Sequence, residues 1–591
     1  MLVSVLAGGC SSGLERIDRQ TERVIQERVL AMGGGADGPR PFEAPVQGDR
    51  SGWYTRQPGT VNPPASALRF DPAAESRDVA AILDGYADDA TEDNEGAMLL
   101  DLDAVFRLAD GSSREHRQAE EEFILSVISL MIERHQWGPR VFNDTTVNFS
   151  GQGDDGTFDA ALSVINTLRV SQRLPYGGSV EARWVTRAAQ ELVNESTNAY
   201  TSSSDLILSG NMPLLRGAGR VAREDLIQAE RSAVYAARTY ERFRRQLLVS
   251  IASDYFSLLQ TRARIGNQRR QLASQIRRQD ETAAKVTAGR LNPFQNDIVA
   301  NAVKQSEAQL ANLRESYILQ LERFKLRLGM DPGTKIALGE PGRGLREPLI
   351  TPEDAVSRAL SYRLDLQNRR DRLLDTERAV ANARNNTLAD FDLNASVSVP
   401  TDPAGDQEGL GLDGGETAYS VGATFSLPLD RKIERLGLRQ AQIRLERDRR
   451  SFDEFRDTVV IESRRAVRAI DLARFQLQLA ETQIGINERG LEDLSLRDDA
   501  DPQAVLDRQN ALLDAENARD QALTDLRNAI LQYLLTTGQL RVRPDGTFDA
   551  PEGMMMEAAE SVPQAVYPEP ADAAPGVPAD QAAEPDATPT P

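Results

Sequence analysis

Two stretches of this chain, 220–288 and 432–500, contain no proline, and the first contains one glycine, Gly266. A run of that length with apolar residues at helical spacing has one regular structure open to it. That structure is a single α-helix of about 105 Å at 1.5 Å per residue. Phe243, Leu247, Ile251, Tyr255 and Leu258 follow coiled-coil spacing in the first run. Leu310, Leu313, Tyr317, Leu321, Phe324 and Leu328 form a return stripe after it, and Ala511, Ala515, Ala518, Ala522, Leu526, Ala529 and Tyr533 form another after the second run. Alanines at seam positions let helix axes approach closely. These stripes alone also fit an ordinary bundle core. Lengths narrow the choice: helices over 294–328 and 353–386, broken by GMDPGT, together cover about 104 Å. The expectation is one long helix beside two shorter ones stacked end to end.

The chain echoes itself. DLDAVFRLA from Asp101 matches PEDAVSRAL from Pro352, and ERFRRQLLVSIA from Glu241 aligns with EFRDTVVIESRR from Glu454, pairing Phe243 with Phe455. NMPLL from Asn211 pairs with SLPLD from Ser426, proline on proline. An internal duplication is expected, with repeats at 99–350 and 351–540. Residues 1–10 read as a leader remnant and 11–98 as a polar tether with one short helical run near 14–29. Residues 541–591, rich in Ala, Pro, Asp and Glu, read as a disordered tail.

Between the helices lie alternating segments. AYSVGATFSLPL puts Tyr419, Val421, Ala423, Phe425 and Leu427 on one face and small polar residues on the other; DFDLNASVSV does the same from Phe391 to Val399. Strands of about ten residues with one apolar and one small polar face suit a membrane barrel, although a soluble sandwich alternates in the same way. Further alternation covers 145–150, 162–173, 179–193 and 205–215. Four strands close no barrel alone, so a lipid-facing reading requires several copies. At SGNMPLLRGAGR, Pro213 ends a strand's hydrogen-bond ladder while Gly217 and Gly219 let the backbone swerve into the first long helix. Pro428 holds the matching place in the second half.

Composition removes other classes. Sixty-nine basic against 90 acidic residues leave a net charge of −21, which disfavours nucleic acid as a partner. One cysteine, Cys10, permits no internal disulfide, and two histidines are too few for a His-based metal cluster. No nucleophile elbow or phosphate loop is present, so no catalytic residue, cofactor or metal is expected. No apolar run of eighteen residues exists for a spanning helix. MLVSVLAGGCSS places Cys10 in a pattern like a lipoprotein lipidation box, with a short leader whose true start is expected upstream.

In this order, NMPLLRGAGR, ERHQWGPR, AGRLNPFQNDIVANA and FKLRLGMDPGT resemble the TolC-type outer-membrane efflux protein family over about 99–540. The resemblance implies an α+β membrane protein: long antiparallel coiled-coil helices form a periplasmic α-barrel, and a transmembrane β-barrel is shared by three chains. It implies a homotrimer in outer-membrane lipid, a periplasmic adaptor (membrane fusion) protein as partner and, through it, an inner-membrane pump. The chain would be a passive gated duct for efflux or type I secretion, anchored through Cys10. The alternative is a structural coiled-coil tether without transport. By the same resemblance, Gly289, Arg290, Leu291 and Pro293 form one adaptor-docking tip, and Arg497 with Pro502 the other. Asp507 matches a pore-constricting aspartate, with Asp498, Asp499 and Asp501 as further negative charge at the rim.

Overall fold

The computed structural model describes residues 19–24, 26, 97–154, 157–191, 200–339, 350–400, 414–497, 501–543 and 546–549. A short strand β1 (Met98–Leu100) precedes α1 (Leu102–Ser112) and α2 (Arg114–Gln136). Then come β2 (Arg140–Asp154), β3 (Thr157–Arg173), β4 (Ser179–Glu191) and β5 (Tyr200–Pro213). The helices α3 (Glu224–Thr287) and α4 (Pro293–Arg327) follow, then β6 (Ile336–Leu338). The plan recurs with α5 (Pro352–Tyr362), α6 (Leu364–Asn385), β7 (Asp390–Pro400), β8 (Ala418–Ser426), α7 (Lys432–Ser495) and α8 (Pro502–Thr536). Both long helices have 64 residues, about 96 Å each, and both return helices have 35. The chain is α+β.

Matched ends refine the expected repeat register. α3 and α7 start at 224 and 432 and stop at 287 and 495, an offset of 208 at both ends. Pairing Phe243 with Phe455 is therefore one helical turn out. The N-caps Asp101 and Thr351 each accept a hydrogen bond from the residue three further on, an offset of 250. That moves the repeated DAV string one residue out of register. Short identical strings misalign easily where only the apolar spacing matters.

The expected stacking is corrected too. α3 packs along α4 and α2, not mainly along the helix that follows α4, and α7 packs along α8, α6 and α5. The helix expected over 353–386 is broken at Arg363, whose ψ of 117° is extended, as Ser113 breaks α1 from α2 at ψ 129°. Neither break carries a proline. Across the chain the lower helices run in the order α4–α3–α8–α7, and the upper ones α2–α3–α6–α7. The chain forms a layer four helices wide, with α2 and α4 at one lateral edge and α7 at the other.

Two joints make short helices act as long ones. α4 ends at Gly329 (φ 78°), whose missing Cβ would lie 2.1 Å from the Ser112 carbonyl oxygen. α8 ends at Gly538 (φ 73°), where a Cβ would meet the Tyr362 backbone at 2.9 Å. At both ends a 6→1 hydrogen bond closes the last turn, Met330 N–H to Lys325 O and Gln539 N–H to Leu534 O. Below the joints the seams are apolar: Leu247, Ile251, Tyr255 and Leu258 are buried with Tyr317, Leu321, Phe324, Leu526 and Tyr533. β1 and β6 pair in parallel over this seam, and the Tyr255 hydroxyl donates to Gly339 O at 2.5 Å. Above the joints, α3 meets α6 through charge. Arg238 pairs with Asp371 at 2.6 Å, Arg231 with Asp375, and Arg242 with Asp365. Burial, with the hydrogen bond to Asp375, pushes the Tyr235 phenol up to about 12.

Two described segments fall where a tether and a tail were expected. Residues 19–24 are helical, and the Thr21 hydroxyl donates to the Met131 sulfur at 3.2 Å. The paired strands β9 (Arg541–Val542) and β10 (Phe548–Asp549) fold back on α1, where Gly546 lies against Phe106 and Asp110.

Gly329→Ala is expected to cost more than about 1 kcal/mol, because it adds both strain and a backbone collision. Gly266→Ala, in mid-helix with nothing nearer than Arg270 at 3.9 Å, should stabilise by about 0.5–1 kcal/mol. Thermal midpoints of the two variants must shift in opposite directions. A second expectation concerns acid. Burial alone would raise the pKa of Asp365, but the hydrogen bonds and charges of Arg363 and Arg242 outweigh it and hold it below 3.8. A depressed carboxylate stabilises the fold above its unfolded pKa and loses that contribution as pH falls through the folded value. Asp365→Asn should therefore flatten part of the stability loss below about pH 4, read from midpoints against pH.

Candidate functional site

The six longer strands form one antiparallel sheet in the order β2-β3-β4-β5-β7-β8. Its register lets each face be traced across the whole width. One row runs Val141, Val170, Ala182, Leu208, Val397, Tyr419. The neighbouring row, on the opposite face, runs Arg140, Ser171, Glu181, Ser209, Ser396, Ser420. The expected alternation of Phe391 to Val399 and Tyr419 to Phe425 is thus one end of a larger two-faced surface. Val141, Val147, Phe149, Trp184, Leu208, Tyr419, Val421 and Phe425 are exposed on its apolar side. Polar groups on that side bond one another: Asn166 donates to the Thr145 hydroxyl at 2.7 Å, and the Trp184 indole to Ser204 at 2.8 Å.

The polar side divides in two. On β2–β5 it carries ion pairs: Arg169 with Asp144 at 3.8 Å and Glu181 at 3.9 Å, Arg183 with Glu181 at 2.6 Å, and Arg187 with Asp205 at 2.5 Å. On β7 and β8 it carries Asn394, Ser396, Ser398, Ser420, Gly422 and Thr424. The strand expected over 145–150 is longer, because Asn, Asp and Gly in 140–154 obscure its alternation, and the strand expected over 205–215 runs from Tyr200 to Pro213.

Beneath the sheet, Pro213 is the last residue of β5, and its partner is Asp392. The chain then turns through Gly217 (φ 77°), whose N–H donates to the Asn385 side chain at 2.8 Å, and Gly219 (φ 73°), whose N–H donates to Tyr176 O at 2.8 Å. The Leu174–Gly178 turn therefore belongs to the hinge. A Cβ on Gly178 would sit 1.9 Å from Asn211 O, and one on Gly177 would sit 2.8 Å from the Pro213 ring. Pro428 lies two residues past the end of β8, and its carbonyl accepts from Arg431 at 3.3 Å. The second hinge has no positive-φ glycine.

At the far end the two turnarounds lie side by side, since Gln509 donates to Ser274 at 3.0 Å and Gln271 to Asn510 at 2.7 Å between α3 and α8. Gly289 (φ 70°) ends α3, and Asn292 caps α4 with Pro293 at its first position. Arg290 and Pro293 are exposed and Leu291 is half-buried. Arg497 is exposed and pairs with Asp493 at 2.7 Å. Pro502 is buried at the start of α8, so it shapes the turn and offers no contact surface. Two apolar side chains outside the expected set stand out here: Leu496 is 81% and Phe294 66% exposed. Phe294 directly follows Pro293, and Leu496 is itself the C-cap of α7. Asp507 is exposed one turn into α8 and accepts from Gln503 at 2.8 Å. Asp501 is the α8 N-cap. Cys10, Asp498 and Asp499 lie outside the described residues. No helix among the described residues is long and apolar enough to cross a membrane.

Several solved structures share this architecture. The outer-membrane channel OprN is similar with a TM-score of 0.57 at 17% identity, over 74% of this chain and 89% of its own. VceC, an outer membrane protein from Vibrio cholerae, gives 0.57 at 16% identity, over 74% of this chain and 96% of its own. The CmeC outer membrane channel of Campylobacter jejuni gives 0.56 at 15%, over 77% and 87%. The chain has the TolC-type outer-membrane channel fold. No protein-family model and no curated protein sequence matches it.

Gly178→Ala is expected to abolish correct assembly of the hinge, since both φ (81°) and space forbid a side chain. Gly217→Ala meets nothing within 4 Å and should cost only about 1–2 kcal/mol from the left-handed backbone. Protease resistance of the purified variants distinguishes them, and equal sensitivity would contradict the role of the 174–178 turn.

Proposed function

We propose that this chain is the outer-membrane channel of a tripartite export system, a passive duct assembled from three copies. One observation carries the reading. A sheet that is apolar across six strands on one face and polar on the other continues through short hinges into helices about 96 Å long. A sheet of that kind is at home with lipid outside and water inside. Helices joined directly to its strands then wall a passage of the same order as its width. Charged seams between α3 and α6 suit elements surrounded by water rather than by hydrocarbon.

In this reading the matched halves descend from an internal duplication, and Cys10 carries a lipid anchor on the same membrane. The tips meet a periplasmic adaptor, which links them to an inner-membrane pump. Arg290 and Arg497 supply charge there, while Leu291, Phe294 and Leu496 supply the apolar area such a contact needs. Gly289, Pro293 and Pro502 set the shape of the turns. The energy for transport comes from the pump, and no residue of this chain acts as a catalyst. Efflux of small molecules and type I secretion of proteins fit the same duct.

Asp507 is the gate residue. Three copies around an axis concentrate negative charge in the narrowest segment and favour cations over anions. Arg508, next in sequence, is held away from it by Asn487 at 3.1 Å.

Planar-bilayer recording tests the reading. The purified protein should form conducting, cation-selective channels, and Asp507→Asn should move the reversal potential toward that of a non-selective pore. An unchanged reversal potential rejects Asp507 as the gate. Absence of conductance from correctly assembled wild type favours the structural tether instead.

A further inference from the structure

The sheet has two edges, β2 and β8, and among the described residues neither bonds to a strand on its outer side. In hydrocarbon an open edge leaves N–H and C=O groups unsatisfied, at several kcal/mol each. The apolar face reaches both margins, with Val141, Val147 and Phe149 exposed on β2 and Tyr419, Val421 and Phe425 on β8. Both edges therefore lie in the lipid band rather than above it.

The helices below repeat this asymmetry. Under β2, α2 and α4 leave Leu125, Ile132, Leu319 and Leu326 exposed. Under β8, α7 leaves Leu472, Phe475, Leu479 and Ile486 exposed, at coiled-coil spacing of three, four and seven. One lateral surface of the copy is thus β2 over α2 and α4, and the other is β8 over α7. The two are different, each carries exposed apolar residues, and heterologous surfaces of this kind form a ring when the rotation between copies closes. Directions also agree: β2 rises out of α2 and β8 descends into α7, so they meet antiparallel, like every other pair in the sheet.

We infer that β2 of one copy pairs with β8 of the next, so that the β2–β3 hairpin forms the seam and each copy contributes six staves to the barrel. This rests on the reading of the chain as a shared duct. The rival arrangement holds the hairpin out of the wall, joins β4 to β8, and gives four staves per copy. Two features oppose it. β3 and β4 are paired over thirteen positions from Ala161–Glu191 to Arg173–Ser179. The chain of ions Asp144–Arg169–Glu181 also ties β2, β3 and β4 together on the polar face, where a barrel wall keeps its charges.

The consequence is a wider bore, since barrel diameter grows roughly with strand number. Three copies supply eighteen strands instead of twelve. The inner wall then alternates, copy by copy, between the Arg/Asp/Glu sector on β2–β5 and the hydroxyl and amide sector on β7–β8. β2 has 15 residues and β8 has 9, so the far end of the hairpin overhangs the seam by about 20 Å.

The test is cysteine cross-linking of the full chain in membranes. Asp144, Thr146 or Asn148 on β2 is replaced by Cys in combination with Ser420, Gly422 or Thr424 on β8. Those pairs sample five successive antiparallel registers on the polar face near the middle of the seam. Oxidation should give covalent multimers for at least one of these pairs and none for Val185→Cys on β4 with the same β8 partners. Single-cysteine variants control for Cys10. Cross-links from β4 to β8, or none from β2 in a protein that still sizes as an oligomer and conducts, overturn the six-stave wall while leaving the duct reading intact. A chain that neither oligomerises nor conducts defeats the duct reading itself.

Discussion

Helix ends butt against one another at two places in this chain, and the long helices depend on it. A 64-residue helix is not held by its own propensity; it needs a buried seam along its whole length. No single partner here is long enough. α4 and α2, or α8 and α6, must lie in line, and in-line helices bring a free C-terminus against a fresh N-terminus. Gly329 and Gly538 make that possible by ending each helix with a left-handed residue that has no side chain. Ser113 and Arg363 restart the chain in extended conformation on the other side. Any Cβ at Gly329 would enter the Ser112 carbonyl, so the joint tolerates one residue type.

Two kinds of seam meet at the joints, and the apolar kind continues above them only between α2 and α3, through Phe123, Val127 and Ala237. Below them the helices bury Leu, Tyr, Phe and Ala, the ordinary chemistry of a coiled coil. Above them α3 and α6 meet through Arg231, Arg238 and Arg242 against Asp365, Asp371 and Asp375. Charged seams hold by geometry more than by net energy, because desolvation offsets most of the Coulomb gain. They also carry the helices to the foot of the sheet, where Asn385 caps the hinge through Gly217. Thus the sheet's orientation is transmitted from the helix layer by a few polar contacts rather than by a shared apolar core. Lateral continuity follows: β2 stands over α2, β8 over α7, and the chain presents two unlike sides.

Much of this was legible. Absence of proline over 220–288 and 432–500 is a backbone statement, and both helices form. The apolar stripes named from spacing contain Leu247, Ile251, Tyr255, Leu258, Tyr317 and Tyr533, all buried. The alternation of β7 and β8 is clean because small polar residues fill every second position. β2 was harder to read, because its charged and amide residues face the same side as Phe142 and blur the pattern. The breaks at Ser113 and Arg363 carry no proline, and Arg363 is held by Asp365 at 2.8 Å and by Glu462, contacts distant or invisible in one dimension. Of the site residues, the hinge glycines and tip turns were readable from their local φ requirements, while Phe294 and Leu496 were not.

Local chemistry along the chain determined which segments are helices, which strands have two unlike faces, and where the backbone must turn. Those are consequences of side-chain period, proline and glycine, all of which act within a few residues. Tertiary structure alone decided that α2 rather than α5 and α6 lies in line with α4, that six strands rather than four make the sheet, and which strands are left at its margins. Such choices depend on how two backbones abut at Gly329 and Gly178, where collision or its absence is set by residues far apart in the chain.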